Sequence, residues 1–216
     1  MAGPFSPSSN LTFWIAVLIL ALGAMTAIAM PMVYVRLPYA TGQDQAPEQP
    51  IPFDHHHHAT RDQIDCFYCH PGARTGAKAG IPTVERCMGC HQQIWTQSPM
   101  LAPLRASFAS GNPIVWTRVN QLPDFVYFNH SAHIHQGVAC ITCHGHVEQM
   151  ARVRQEAPLL MKWCLDCHRS PEAYLRPREL VTSFRWDAQS PTAVAGAQLA
   201  SLYGTRRITY CTACHR

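Results

Sequence analysis

Every cysteine of this 216-residue chain falls inside one short string, Cys-x-x-Cys-His, which occurs five times. The copies are Cys66, Cys69 and His70; Cys87, Cys90 and His91; Cys140, Cys143 and His144; Cys164, Cys167 and His168; and Cys211, Cys214 and His215. The spacing is that of covalent c-type haem attachment. Two thiols add across the vinyl groups of one porphyrin, and the next residue supplies the proximal imidazole to iron. Zinc ribbons would group cysteine pairs in fours and leave one pair over. Neither zinc nor a disulfide framework explains a histidine after every second cysteine. Ten cysteines used without remainder predict five covalently bound haem c groups.

That content limits the fold. With the N-terminal segment set aside, fewer than about forty residues remain per haem, too few for five independent cores. The expected fold class is a multihaem cytochrome c: a small, mostly irregular or α-helical domain wrapped on its macrocycles. Two dihaem modules and a C-terminal haem would make up this domain, behind one N-terminal transmembrane helix. Seventeen prolines and twelve glycines agree with a chain that turns often. The formal charge of +4 is a poor guide to partners, because each haem adds two propionates. The basic residues are scattered and are not interleaved with aromatics, which argues against a nucleic-acid surface.

Leu11 to Val35 carries no charged side chain, and Leu11 to Met30 alone is long enough, as a helix, to cross a bilayer. Ser9 or Asn10 is the expected cap, and Pro31 the expected end or kink. A cleaved signal peptide, with Ala27-Ile28-Ala29 at its cleavage site, is the rival reading. No Lys or Arg precedes the run, and the run exceeds a typical signal core, so an anchor is expected. Arg36 just beyond it weakly favours a cytoplasmic C-terminal part. Haem attachment outweighs one arginine, because cytochrome c maturation takes place on the outer side of the bacterial inner membrane. The haem domain is therefore expected on the periplasmic side.

The chain divides into an anchor (1–35), a proline-rich tether (36–52), a first dihaem module with its connector (53–127), a second dihaem module (128–170) and an irregular C-terminal part with the fifth haem (171–216). The modules repeat one pattern. Phe53, His55 and His58 precede the first attachment string as Phe128, His130 and His133 precede the third. Between them, Ser98-Pro99 begins a short helix with Leu101, Leu104 and Phe108 on one face, stopped near Gly111. Ile114–Val119 reads as extended. Val147, Met150 and Val153 suggest a helical stripe, and Leu159–His168 a helix carrying Cys164. Residues 188–200 read as a small-residue linker.

Of thirteen histidines, five close the attachment strings. A second axial ligand removes the open site that oxygen or substrate chemistry needs. The pairs His55/His58 and His130/His133 are the expected distal ligands of four haems, since i,i+3 spacing points both rings to one side of a turn. For the fifth haem two candidates stay open, His57 and Met150. A thioether ligand would raise that haem's potential. His56, His135 and His146 are expected at the surface or beside propionates.

Several stretches together resemble a known family: FDHHHH before DCFYCH, AGIPTVERCMGCHQQIW, SPMLAPLR, WTRVNQLPDFVYFNHSAH, GVACITCHGHVEQM, MKWCLDCHRSPEAYLRP and ITYCTACHR. They are similar to the membrane-anchored pentahaem cytochrome c subunit of bacterial alternative complex III. In that pattern the first histidine run reads His-x-His-His, which matches His55, His57 and His58 and strengthens His57 as a ligand. The resemblance implies a quinol-oxidising respiratory complex. Its partners would be a large iron–sulfur protein related to molybdopterin oxidoreductases, polytopic quinol-binding membrane subunits and a monohaem cytochrome c. The chain would then relay electrons from the iron–sulfur protein towards the monohaem subunit or a soluble acceptor, with no catalytic site of its own.

Two other functions are weighed against this one. A free-standing membrane quinol dehydrogenase would share the single anchor. A multihaem nitrite or hydroxylamine reductase would need a haem with a free distal side, and such reductases often replace a proximal histidine by lysine. All five strings here end in histidine.

Overall fold

A computed structural model describes residues 7–187, 189–190 and 193–215. The chain forms two compact units, Met1–Gly42 and Gln43–Arg216.

The first unit is built on α1, Pro7–Tyr34. At about 1.5 Å per residue its 28 residues reach about 42 Å, more than a bilayer core requires. Large apolar side chains such as Leu11, Trp14, Leu20, Met25 and Ile28 are all exposed on it. A helix apolar all round gains nothing from water on any face, so it has the length and composition of a membrane span. A signal sequence shares both properties. The helix starts at Pro7, ahead of the Ser9 or Asn10 cap that was expected, because proline is tolerated in a first turn. It also runs through Pro31 rather than ending there, and Val35 N donates to Pro31 O at 3.1 Å. A four-residue helix, α2 (Pro38–Thr41), follows and stops at Gly42, whose φ of 75° suits glycine.

In the second unit the attachment strings sit on short helices. These are α3 (Cys66–Cys69), α5 (Val84–His91), α8 (Cys140–His144), α9 (Met161–Arg169) and a 3₁₀ turn, Cys211–Ala213. An i,i+3 pair on a helical turn faces one way, so both sulfurs of a string address one macrocycle. The remaining helices are α4 (Gly72–Thr75), α6 (Ala102–Ser110), α7 (His130–His135) and α10 (Gly196–Tyr203). Among the described residues there is no strand, only single bridges joining Gln43 to Gln155, Val126 to His215 and Val138 to Leu175.

Residues 43–52 do not stand free as a tether. Asp44 N donates to Gln155 O at 2.7 Å, and Gln43 Nε2 to Glu156 O at 2.9 Å. Gln49 and Thr117 exchange two hydrogen bonds of 2.8 and 2.9 Å, and Ile51 is buried. Ile51 joins Met88, Leu101 and Leu104 in a small core, with Val84, Ile114 and Trp116 packed against it. The segment from Ser98 behaves as expected: a 3₁₀ turn at Pro99–Leu101 leads into α6, with Pro103 in its first turn and Gly111 (φ 72°) ending it. Leu101 and Leu104 are buried, but Phe108 is exposed.

Three expectations fail locally. Val147, Met150 and Val153 do not share a helix: only Val147–Gln149 turns, as 3₁₀, and Met150 is extended. The stripe arose from spacing alone, in a stretch too short to propagate a helix. The helix carrying Cys164 begins at Met161, because Leu159 has a φ of 54° that no helix accepts. The small-residue stretch ends in α10 rather than continuing as linker; Ala188, Pro191 and Thr192 of that stretch lie outside the described residues.

Candidate haem-binding site

The two Phe-x-His-x-x-His segments adopt the same side-chain arrangement on different backbones. In the first, His55 leads into a π-helical turn, His56–Arg61; in the second the histidines lie on α7. Asn129 caps α7 by accepting from Ser131 N at 3.0 Å. Phe53 stacks on His58 at 4.5 Å and 22°, and meets His55 edge-on at 4.8 Å and 83°. Phe128 stacks on His133 at 4.5 Å and 28°, and meets His130 edge-on at 4.8 Å and 87°.

Each segment faces attachment strings. The His58 ring lies 6.3 Å from that of His91, His130 lies 6.4 Å from His144, and His133 lies 6.0 Å from His168. Two metal–imidazole bonds of about 2.0–2.1 Å, plus the step from each nitrogen to its ring centre, put trans imidazoles about 6 Å apart. The spacing therefore suits one iron between each pair. His55 lies within electrostatic reach of His70 and of His144.

The other ring nitrogens are turned away towards backbone carbonyls. His58 Nδ1 is 2.8 Å from Asp54 O, His133 Nδ1 is 2.8 Å from Asn129 O, and His130 Nδ1 is 2.8 Å from Ala77 O. Among the proximal residues, His70 Nδ1 is 2.6 Å from Gly80 O, and His91 and His215 lie 3.3 Å from Ile94 O and Phe125 O. An Nδ1–H held by a carbonyl selects the tautomer with a free Nε2, the form that ligates a metal. Burial first, then neighbouring imidazoles, pushes His55 and His144 down to about 4. Burial also lowers His133. Neutral imidazoles are what iron needs. His55 Nδ1 differs from its counterparts, being buried without a partner. Donor types, tautomers and spacing all fit haem c.

The strings also approach one another. Cys66 and Cys140 are within hydrogen-bonding reach, and that bond, with burial, pushes the Cys66 thiol up. The two strings are tied by a second route: Thr182 Oγ1 donates to Asp65 Oδ2 at 3.0 Å, and Cys140 N to Val181 O at 3.0 Å. Burial, then the neighbouring Cys167 and Cys164, pushes Cys143 up to about 12. Burial, then the neighbouring Cys69, pushes Cys87 up, and burial, then Cys214, pushes Cys164 up. The last string packs on the start of the second histidine segment, with Tyr127 N donating to Cys214 O at 2.8 Å. The neighbouring pairs are thus second and first, first and third, third and fourth, and fourth and fifth.

The two remaining candidates lie apart from His215 in their described contacts. His57 has Nε2 3.5 Å from Asp62 Oδ2, and its ring is 5.8 Å from Trp95. Met150 is buried, and its carbonyl accepts from His55 N at 3.1 Å. His146 bonds Glu148 Oε1 through Nδ1 at 2.9 Å and lies 6.3 Å from Phe184. Sequence reasoning missed the carbonyls of Asp54, Ala77, Gly80 and Asn129, which orient the imidazoles. A carbonyl is common to all residues and leaves no signal. It also gave no role to Phe53 and Phe128, although the repeat had marked both.

Residues 126–216 match the family model described as cytochrome c7 and related cytochrome c. The chain is also 34% identical over 103 residues to the menaquinone reductase, multiheme cytochrome c subunit, of Nitratidesulfovibrio vulgaris strain Hildenborough. That match covers 47% of this chain and 48% of the relative, so the chain spans about half the length of the curated relative. Residues 126–216, with the attachment strings, thus resemble a multihaem cytochrome c domain, a type that holds haem c covalently.

Proposed function

We propose that this chain is the electron-transfer subunit of a membrane quinol:acceptor oxidoreductase of the alternative complex III type, carrying five haem c groups. The ten cysteines would hold the macrocycles, with His70, His91, His144, His168 and His215 as proximal ligands. His58, His130 and His133 would be the distal ligands opposite His91, His144 and His168. By the repeat, His55 would stand opposite His70. For His215 the candidates stay His57 and Met150, as the sequence left them. Haem c would supply a one-electron carrier, and an iron with both axial sides taken offers no place for substrate.

The observation that carries this reading is the facing of imidazole on imidazole at three strings, 6.0–6.4 Å apart. It supports relay over reduction of a small substrate. The pairwise approach of neighbouring strings supports a continuous electron path. The resemblance supplies the partners: a large iron–sulfur molybdopterin-oxidoreductase-like subunit, polytopic quinol-binding subunits and a monohaem cytochrome c. Helix α1 would anchor the chain in the bacterial inner membrane, with the haem domain on the periplasmic side.

Purification from native membranes in mild detergent, with mass-spectrometric identification of what accompanies the cytochrome, tests the reading. An iron–sulfur protein and polytopic subunits are expected; a cytochrome that arrives alone and accepts electrons from quinol unaided would overturn it. The relative's name favours a second reading, in which electrons run the other way and the assembly reduces menaquinone. The same preparation separates the two, because only a menaquinone-reducing assembly would oxidise a pre-reduced cytochrome with added menaquinone.

A further inference from the structure

Phe53 and Phe128 each touch two histidines in two different ways, and the ways match between modules. The later histidine of each pair, His58 or His133, lies under the flat face of the phenylalanine. The earlier one, His55 or His130, meets its edge. Edge and face contacts are the two favoured approaches of aromatic rings, so one phenylalanine holds two imidazole planes nearly at right angles.

A hydrogen bond at Nδ1 does not fix an imidazole fully, since the ring can still rock about the line to its acceptor. The terminal torsion of histidine is broad and weakly restrained. For His58 and His133 the acceptor is the carbonyl four residues back, at 2.8 Å in both modules. The stacked phenylalanine supplies the missing restraint, a plane. The consequence appears across the paired rings. His58 and His133, the stacked histidines, are crossed with their opposite imidazoles at 65° and 79°. His130, the edge-on histidine, lies within 5° of parallel to His144.

We infer that Phe53 and Phe128 are positioning residues that set the planes of the axial imidazoles, crossed at His58/His91 and His133/His168 and parallel at His130/His144. The inference rests on the ligand assignment above and adds an electronic consequence to it. The angle between axial planes governs the splitting of the iron dπ orbitals, which overlap with the π systems of the axial imidazoles. Parallel planes separate two of them and give a ferric low-spin spectrum with three well-spread g values. Crossed planes leave them nearly degenerate and give one very large g value.

Electron paramagnetic resonance of the fully oxidised full-length protein reads this directly. Wild type should show both kinds of signal. Phe128→Leu keeps an apolar side chain of similar bulk but has no ring; it should lose one large-g signal and gain a rhombic one. Phe128→Tyr keeps the ring and should retain the wild-type spectrum. Phe53→Leu should change the His58 signal instead, leaving that of His133. An unchanged spectrum in Phe128→Leu overturns the inference, and so does failure of both leucine variants to retain their haems, which would make the rings packing elements. The ligand assignment fails separately: a wild-type protein whose near-infrared magnetic circular dichroism lacks the bis-imidazole band would refute it whatever the variants do.

Discussion

The rings of His130 and His144 lie parallel, 6.4 Å apart and within 5° of coplanar orientation. His130 is pinned by a segment more than fifty residues away, since its Nδ1 and its backbone N both reach Ala77 O, at 2.8 and 3.2 Å. Ser131 N adds a bond to Gly76 O at 3.1 Å. The loop after the first string thus orients the histidine that faces the third. Together with the approach of Cys66 to Cys140, these bonds tie residues 66–77 to residues 130–140.

His133→Ala should open one axial position. The affected haem should become five-coordinate and high-spin when reduced and bind carbon monoxide, whereas wild type should not. A carbon monoxide difference spectrum reads the change; its absence in the variant would take His133 off the ligand set.

Met150→Leu conserves volume and burial, so it should cost less than about 1.5 kcal/mol of stability. If the thioether is the distal ligand of the fifth haem, a potentiometric titration should lose its highest-potential step. An unchanged titration would pass the position to His57 or another group.

Leu104→Ala removes the most buried side chain of the cluster with Ile51, Met88 and Leu101. The expected cost is about 2–5 kcal/mol. Because Met88 lies between the two cysteines of the second string, the loss should appear in thermal melts that follow the Soret band. The resting spectrum should be unchanged.

Gly196→Ala should loosen the start of α10. A Cβ at this position would run into the carbonyl oxygen of Glu172, a backbone atom that cannot swing aside. Glu172 is itself paired, with Arg207 Nη2 2.7 Å from its Oε1. A loss of about 1–3 kcal/mol is expected, with earlier proteolysis near the C-terminus. A variant as stable and protease-resistant as wild type would show that the two segments separate at no cost.

What the sequence by itself determined is what is local or covalent. The attachment chemistry needs two sulfurs one helical turn apart and an imidazole next to them, so all fifteen residues are spelled out in order. Helix α1 is equally plain, since a run without charge is decided by its side chains alone. The Phe-x-His-x-x-His repeat was visible too, because a duplicated site keeps its spacing. Only the tertiary structure decided which imidazole faces which, since His58 meets His91 and His133 meets His168 across intervening chain that no period describes. It also decided that residues 43–52 pack on the body, through backbone bonds open to any sequence. The helix at Gly196–Tyr203 escaped notice because its small residues carry little apolar pattern, and what holds it is a close approach to Glu172. Local chemistry is written in residue type; long-range pairing is set by which surfaces meet, and that is a property of the folded chain.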